Sequence, residues 1–159
     1  MQLTDVRDVP KTIRVECEAF GPGGTIPEKY TGEGDDVSPS VAWGNLPRAT
    51  QEVAVVCQDP DAPGDDPFVH WVVYKIPVGK DRLAEGRIGD ALEGVNDFGG
   101  PGWRGPLPPR GHDLHHYHFL VYALDKQLDL PPGLTRDELL EAMEGHVRAW
   151  GESVGTFQR

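Results

Sequence analysis

The stretch Glu52-Val-Ala-Val-Val-Cys57 and the later run Val69-His-Trp-Val-Val-Tyr-Lys-Ile76 decide the fold. β-Branched and aromatic residues dominate both runs, and such residues pack well on a pleated surface. A short, nearly continuous apolar run is typical of a strand that is buried on both faces. The sequence therefore predicts two central strands, the first ending at Gln58, on either side of a polar loop.

Other segments favour further strands around these two. Residues 12–19 alternate between apolar and polar side chains, which indicates a strand with one solvent-exposed face. Residues 41–43 form a short apolar segment, and the run at residues 117–124 predicts a further strand. The segment 77–114 is rich in Gly, Pro and charge, and it is too long for a simple connection. We expect it to be functional or to be built around small local elements, in a mainly β protein.

One helix is predicted near the carboxyl end of the sequence. Thr135 as N-cap and Glu138 three residues later make a capping box. Helical spacing continues through Leu139, Met143, Val147 and Trp150. Gly151 is the expected terminator, with residues 153–157 returning as an edge strand or an extended tail.

Length and charge exclude several classes of protein. A chain of 159 residues fits a single domain, 1–159, around one core. The formal charge of −11 repels nucleic acid and anionic membrane surfaces, so a nucleic-acid partner is not expected. The acidic excess fits either a high-salt source or an ordinary acidic cytosolic protein.

The cysteines and the amino-terminal segment suggest a reduced, aqueous compartment. Cys17 and Cys57 sit in apolar strand-like runs, where a thiol behaves as a small hydrophobe, so a disulfide scaffold is not indicated. Residues 1–10 lack an apolar leader, and no later stretch approaches ~20 apolar residues. We expect a cytoplasmic protein without stable membrane insertion.

The first candidate for chemistry is the loop Asp59-Pro-Asp-Ala-Pro63 with the nearby His70. Two prolines stiffen the loop, so a carboxylate on it can be aimed at a target. A histidine inside an apolar strand needs a hydrogen-bond partner, and we take Asp59 as that partner because a carboxylate on one ring nitrogen presents the other to a ligand. The alternatives are an ordinary Asx-Pro turn and a structural core histidine.

The second candidate is the segment Gly105-Pro-Leu-Pro-Pro-Arg-Gly-His-Asp-Leu-His-His-Tyr-His-Phe119. Period 2 places His115 and Tyr117 on one face of a strand, and His116 and His118 on the other. A Gly/Pro-rich loop that leads into an imidazole and a phenol offers hydrogen-bond donors to an oxyanion. Four histidines within residues 112–118 also suggest a metal site, but their alternation argues against it, and we expect neither metal nor cofactor.

Common enzyme motifs are missing from the sequence. None of the three serines lies in a Gly-x-Ser-x-Gly elbow, and there is no phosphate-binding or dinucleotide-binding loop. We therefore expect a non-enzymatic binding protein. The alternative is a hydrolase or lyase that uses Asp59 and His70 as an acid–base pair.

Taken together, the blocks 59–63, 70–73, 105–111 and 115–117 resemble the phosphatidylethanolamine-binding protein family, whose bacterial and archaeal members are called Raf kinase inhibitor-like proteins. The resemblance runs from about residue 20 to residue 124. It implies a Greek-key antiparallel β-sandwich with a second, smaller sheet and one or two short helices. It also implies a pocket for phosphate, a phosphoryl head group or a carboxylate. By the resemblance, Asp59, His70, His115 and Tyr117 fall on pocket positions, and Pro108 and Pro109 form one wall. Gly105, on the same Gly/Pro-rich loop, is also expected to contact the ligand.

The resemblance adds expectations about partners. A kinase or protease that binds at the pocket rim would make the protein an inhibitory module, and prokaryotic relatives often form homodimers. Two positions depart from the family pattern. Leu107 stands where many bacterial relatives have Cys, and His116 stands where Arg is usual, which weakens the attraction for an anion.

Overall fold

The computed structural model describes residues 8–159. Most of the 1–10 segment, where the sequence lacks an apolar leader, lies outside the described residues. Within the described part of the chain, no helix is both long and apolar enough to span a bilayer.

Strands make up most of the regular structure. In chain order they are β1 (Arg14–Cys17), β2 (Val41–Gly44), β3 (Glu52–Asp59), β4 (Phe68–Pro77), β5 (Arg82–Leu83), β6 (Leu92–Glu93), β7 (His115–Leu124) and β8 (Val147–Phe157). A 3-10 turn covers Glu28–Tyr30, and the helix α1 covers Arg136–Met143. The segment 77–114 thus contains the small local elements β5 and β6, as expected.

The strands form two antiparallel sheets. The smaller sheet has the order β1-β2-β5, and the larger has the order β6-β4-β3-β7-β8. One apolar cluster lies between the two sheets, and a second lies between the larger sheet and α1. The prediction of a mainly β sandwich with a smaller second sheet and one or two short helices is confirmed.

Strand β3 is the centre of the larger sheet and is buried along its whole length. Val53, Val55 and Cys57 pack toward the smaller sheet, whereas Ala54 and Val56 pack toward the helix side. Because alternate side chains enter different apolar clusters, the strand reads as one continuous apolar run. It continues to Asp59, one residue beyond the predicted end, because Asp59 still pairs with Phe68 of β4.

The capping box of α1 is confirmed, but the predicted length of the helix is wrong. The Thr135 hydroxyl accepts the Glu138 N–H, and the Glu138 carboxylate accepts the Thr135 N–H. The helix ends at Met143, and Gly145 follows with a φ of 82°. Val147 to Phe157 then pair with β7 as a full strand, because tertiary pairing overrides the helical spacing of the apolar residues.

Gly151 has a different role from the helix terminator that the sequence suggested. It lies in β8, where a β-carbon would stand 2.0 Å from the carbonyl oxygen of Ile13. A hydrogen bond holds the two backbone segments together next to this position, since the Ile13 N–H donates to the Trp150 carbonyl at 3.1 Å. Glycine therefore lets the chain entering β1 approach β8 closely.

This close approach predicts that Gly151→Ala lowers the free energy of unfolding by ~1–3 kcal/mol, the usual effect of overpacking a tight contact. Urea unfolding followed by tryptophan fluorescence measures the change. Gly79→Ala is the matched control, because a β-carbon there meets nothing within 4 Å and little change is expected. Equal stability of the two variants would contradict this account of Gly151.

Candidate functional site

A cavity opens at the end of the larger sheet where β3 stops and β4 and β7 begin. Its volume is about 190 Å³. The residues that line it are Asp59, Ala62, Pro63, Phe68, His70, Phe98, Leu107, Pro108, Pro109, His115 and Tyr117. The structure thus brings together every predicted site residue except Gly105.

Gly105 lies beside the cavity and does not line it. Its N–H donates to Asp36 Oδ1 at 2.7 Å and is therefore occupied within the protein. A β-carbon at this position would stand 2.1 Å from the Tyr30 carbonyl oxygen. Glycine is needed here because two backbone segments pass close together, which gives Gly105 a packing role, and its contact with a ligand stays a prediction.

The predicted pairing of Asp59 with His70 is wrong. Asp59 Oδ2 instead accepts a hydrogen bond from His115 Nδ1 at 2.6 Å. His70 Nδ1 donates to the carbonyl oxygen of Arg104 at 2.6 Å, and the Arg104 N–H donates back to the His70 carbonyl at 3.2 Å. The segment that carries Arg104 runs beside β4, and this tertiary contact has no signature in the local sequence.

Asp59 also stabilises the loop that forms one wall of the cavity. Its second oxygen, Oδ1, accepts the N–H of Asp61 at 2.8 Å, which is an Asx-type turn. The turn and the site are therefore not alternatives, because one carboxylate serves both. Asp61 in turn accepts the N–H and the Nδ1–H of His116, each at 2.7 Å.

The predicted alternation along β7 is confirmed. His115 and Tyr117 line the cavity, while His116 bonds Asp61 and His118 donates to Glu152 at 2.6 Å outside it. Partial burial raises the pKa of Asp61, but the hydrogen bonds from His116 outweigh burial and hold that pKa below its ordinary value. Among residues 8–159, no cluster of three or more His, Cys, Asp or Glu side chains could hold a metal ion.

The hydrogen bonds fix which nitrogen of each cavity histidine faces the ligand. Both Nδ1 atoms are engaged, His70 with a carbonyl and His115 with a carboxylate. A carbonyl oxygen only accepts, so the Nδ1 of His70 carries the proton. For residues 8–159, no partner is found for either Nε2 atom or for the Tyr117 hydroxyl, which leaves these three groups to a ligand.

Burial shifts the pKa values of two side chains in the cavity, His70 and Tyr117. It lowers the pKa of His70, against the opposing effects of the Arg104 carbonyl and of the Asp59 charge. Burial also raises the pKa of Tyr117, and the Asp59 charge adds to this effect, so the phenol keeps its proton and can donate. Because a neutral imidazole with its proton on Nδ1 offers a lone pair at Nε2, neutral His70 presents an acceptor to the cavity.

Aromatic rings that sequence reasoning missed as site residues shape the mouth of the cavity. The Phe68 and Phe98 rings contact each other edge to face with 4.9 Å between centroids, and Phe68 lies 5.1 Å from the His70 ring. Phe98 is 40% exposed. A large apolar residue in a Gly-rich polar stretch is a signal that could have identified Phe98, since binding residues concentrate on loops.

The lowered pKa of His70 predicts a pH dependence of stability. The unfolded chain protonates this residue near its ordinary value of 6.5, whereas the folded protein resists protonation until a lower pH. The unfolded state therefore binds more protons in that window, and the free energy of unfolding falls as pH falls through it. Urea unfolding at several pH values measures the slope.

The non-titrating variant His70→Gln is the control for this slope. Its free energy of unfolding should depend less steeply on pH than that of the wild type over the same window. Parallel slopes would show that His70 titrates as it does in the unfolded chain.

Comparison with known proteins agrees with this architecture. The family model described as phosphatidylethanolamine-binding protein matches residues 16–158. A UPF0098 protein of Methanothermobacter thermautotrophicus is 40% identical over 153 residues, which cover 92% of this chain and 99% of the relative. A UPF0098 protein of Pyrococcus abyssi is 44% identical over 148 residues, covering 88% of this chain and 82% of the relative.

Solved structures show the same fold. A putative phosphatidylethanolamine-binding protein homologue of Chlamydia trachomatis superposes with a TM-score of 0.87 at 36% identity, covering 92% of this chain and 97% of the other. YbcL of Escherichia coli also gives a TM-score of 0.87, at 27% identity, with coverage of 92% and 98%. The match to the family model over nearly the whole described chain and the close relatives lead to one conclusion: the chain belongs to the phosphatidylethanolamine-binding protein family.

Proposed function

We propose that the protein binds a small anionic group, such as phosphate, a phosphoryl head group or a carboxylate, and releases it unchanged. The observation that carries the proposal is the convergence of His70 Nε2, His115 Nε2 and the Tyr117 hydroxyl on one buried cavity. Each imidazole is held from behind by a hydrogen bond, so neither must be ordered when a ligand arrives.

The size of the cavity supports a small group. At about 190 Å³ it is smaller than the ~300–1,000 Å³ of sites for drug-sized ligands. A phosphate or carboxylate fits inside, and any larger substituent must extend past the aromatic mouth. The apolar walls exclude water and strengthen the hydrogen bonds that the polar groups make.

Anion binding requires proton uptake in this geometry. Neutral His70 presents a lone pair at Nε2, and a lone pair repels an anion. A second proton turns this ring into a charged donor, which makes shorter and stronger hydrogen bonds to oxyanions. The Asp59 carboxylate holds His115 from behind and orients its ring, and it does not contact the ligand charge directly.

The residues that line the cavity support binding of a ligand without catalysis of a reaction. They include no Ser, Thr, Cys or Lys from the described residues, and the raised pKa of Tyr117 makes its phenolate inaccessible as a nucleophile. One observation favours the alternative of a hydrolase or lyase, namely the 2.6 Å contact between Asp59 and His115, which is the geometry of an acid–base pair. That alternative now rests on His115, because His70 does not bond Asp59.

The first prediction of this proposal is a saturable response of the cavity histidines to ligand. Phosphate, phosphoethanolamine and acetate are titrated separately into the pure protein while the histidine ring signals are followed by NMR. We expect shifts confined to His70 and His115, lost in His70→Ala. His118→Ala is the matched control, because this residue lies one strand position from Tyr117 on the outer face and should leave binding unchanged.

Two outcomes would overturn the proposal. If the ring signals of His70 and His115 do not shift at millimolar ligand, the result would instead favour a protein partner, such as a kinase or protease that docks at the rim of the cavity. Turnover of a phosphate or carboxylic ester that disappears in His115→Ala would establish the acid–base alternative.

The second prediction is that anion affinity depends on pH because binding takes up a proton. Sulfate is a suitable probe because it resembles phosphate and does not titrate between mildly basic and acidic pH. We expect its affinity to rise as pH falls through the histidine range, since the lowered pKa of free His70 leaves that ring neutral until a ligand compensates its charge. Calorimetry in buffers of different ionisation enthalpy should show net proton uptake on binding. A sulfate affinity that does not change with pH, together with no proton uptake on binding, would contradict this mechanism.

A further inference from the structure

We infer that Asp36, a residue outside the cavity, is a positioning residue for His70. It holds the Arg104–Gly105 segment so that the Arg104 carbonyl fixes the ring of His70 and turns Nε2 toward the ligand. The inference rests on the proposed function for its consequence, but its structural core can be tested without any ligand.

Asp36 contacts two consecutive residues of the segment beside β4. Its Oδ1 accepts the Gly105 N–H at 2.7 Å, and its Oδ2 lies 3.5 Å from Arg104 Nε. Gly105 is buried, so its N–H has no access to water as an alternative acceptor. Asp36 thus fixes the peptide unit between Arg104 and Gly105, which contains the carbonyl that His70 uses.

Arg104 transmits this restraint to the cavity at two points. Its carbonyl accepts His70 Nδ1 at 2.6 Å, and its guanidinium lies 5.0 Å from the centre of the Phe98 ring. His70 and Phe98 both line the cavity. The Asp36 carboxylate therefore supports the His70 imidazole and the Phe98 ring through Arg104, although it contacts neither side chain directly.

The backbone around Asp36 is built for this contact. Asp36 has a φ of 56°, in the left-handed region that Asp and Asn adopt more readily than most residues. A β-carbon on Gly105 would stand 2.7 Å from Asp36 Oδ1, so the approach requires glycine on the other side. The Gly32 N–H donates to the Pro106 carbonyl at 2.9 Å and ties the same two loops a second time.

Loss of the carboxylate should change the tautomer of His70. A free imidazole exchanges between protons on Nδ1 and Nε2, and the partner of one nitrogen decides which tautomer dominates. If the Arg104 carbonyl moves, the Nδ1–H loses its acceptor and the ring can turn or change tautomer. The cavity then presents a mixture of donors and acceptors in place of one fixed arrangement.

The test compares two substitutions at Asp36 with one control. Asp36→Gly keeps the left-handed backbone accessible and removes both acceptor oxygens, whereas Asp36→Asn keeps an oxygen for the Gly105 N–H. The control is Asn45→Gly, because Asn45 also has a positive φ, of 66°, and the hydrogen bond found for its side chain within residues 8–159 goes to the remote Thr12 carbonyl.

Two readouts are taken for each protein. Long-range ¹H–¹⁵N NMR spectra report the tautomer of His70, and calorimetry with inorganic phosphate reports affinity. We expect Asp36→Gly to show mixed tautomers of the neutral ring. We expect it to bind phosphate on the order of tenfold more weakly, because the protonated ring that binds the anion loses the carbonyl that accepts its Nδ1–H, as when a residue that orients a metal-binding imidazole is lost. Asp36→Asn and Asn45→Gly should keep the single wild-type tautomer and an affinity close to that of the wild type.

A wild-type tautomer in Asp36→Gly would overturn the inference. Failure of the wild type to bind phosphate would instead overturn the proposed function, and the tautomer would still decide the role of Asp36. If Asp36→Gly does not fold, a measurement on the wild type replaces it: a scalar coupling across the hydrogen bond from the Gly105 ¹⁵N nucleus to the Asp36 carboxyl carbon. Its presence is expected, and its absence would equally reject the inference.

Discussion

Burial of β3 on both faces is the constraint on which the rest of the structure depends. Its backbone pairs with β4 on one side and β7 on the other, and its side chains enter both apolar clusters. Such a strand cannot shift its register without moving apolar residues in two layers. Asp59, at its end, is therefore held rigidly, and the cavity is built on three strands that cannot move independently.

A second constraint is electrostatic. The cavity holds a buried carboxylate, Asp59, and two imidazoles whose Nδ1 atoms are already engaged. Burial disfavours positive charge on His70 and deprotonation of Tyr117. Under the proposed function, binding of an anion is therefore coupled to protonation of His70, and the affinity for the ligand depends on pH.

Much of the fold followed from local patterns. Continuous runs of β-branched and aromatic residues located β3 and β4, because such runs fit a strand buried on both faces. Period 2 placed His115 and Tyr117 on the same face of β7, because alternation is imposed by the pleat itself. The capping box located the start of α1 for a similarly local reason. The end of α1 was missed because helical spacing in Val147 and Trp150 is also compatible with a strand, and pairing with β7 decided between them.

The sequence by itself determined which elements form and which side chains can reach the end of the sheet, since these depend on periodicity, turn residues and burial. Only the tertiary structure decided the partners: His115 for Asp59, the Arg104 carbonyl for His70, and Asp36 for Gly105. The physical reason is that these hydrogen bonds join segments from 34 to 69 residues apart in the chain. Partners that lie on distant segments of the chain leave no local periodicity, and a backbone acceptor such as the Arg104 carbonyl is present at every residue.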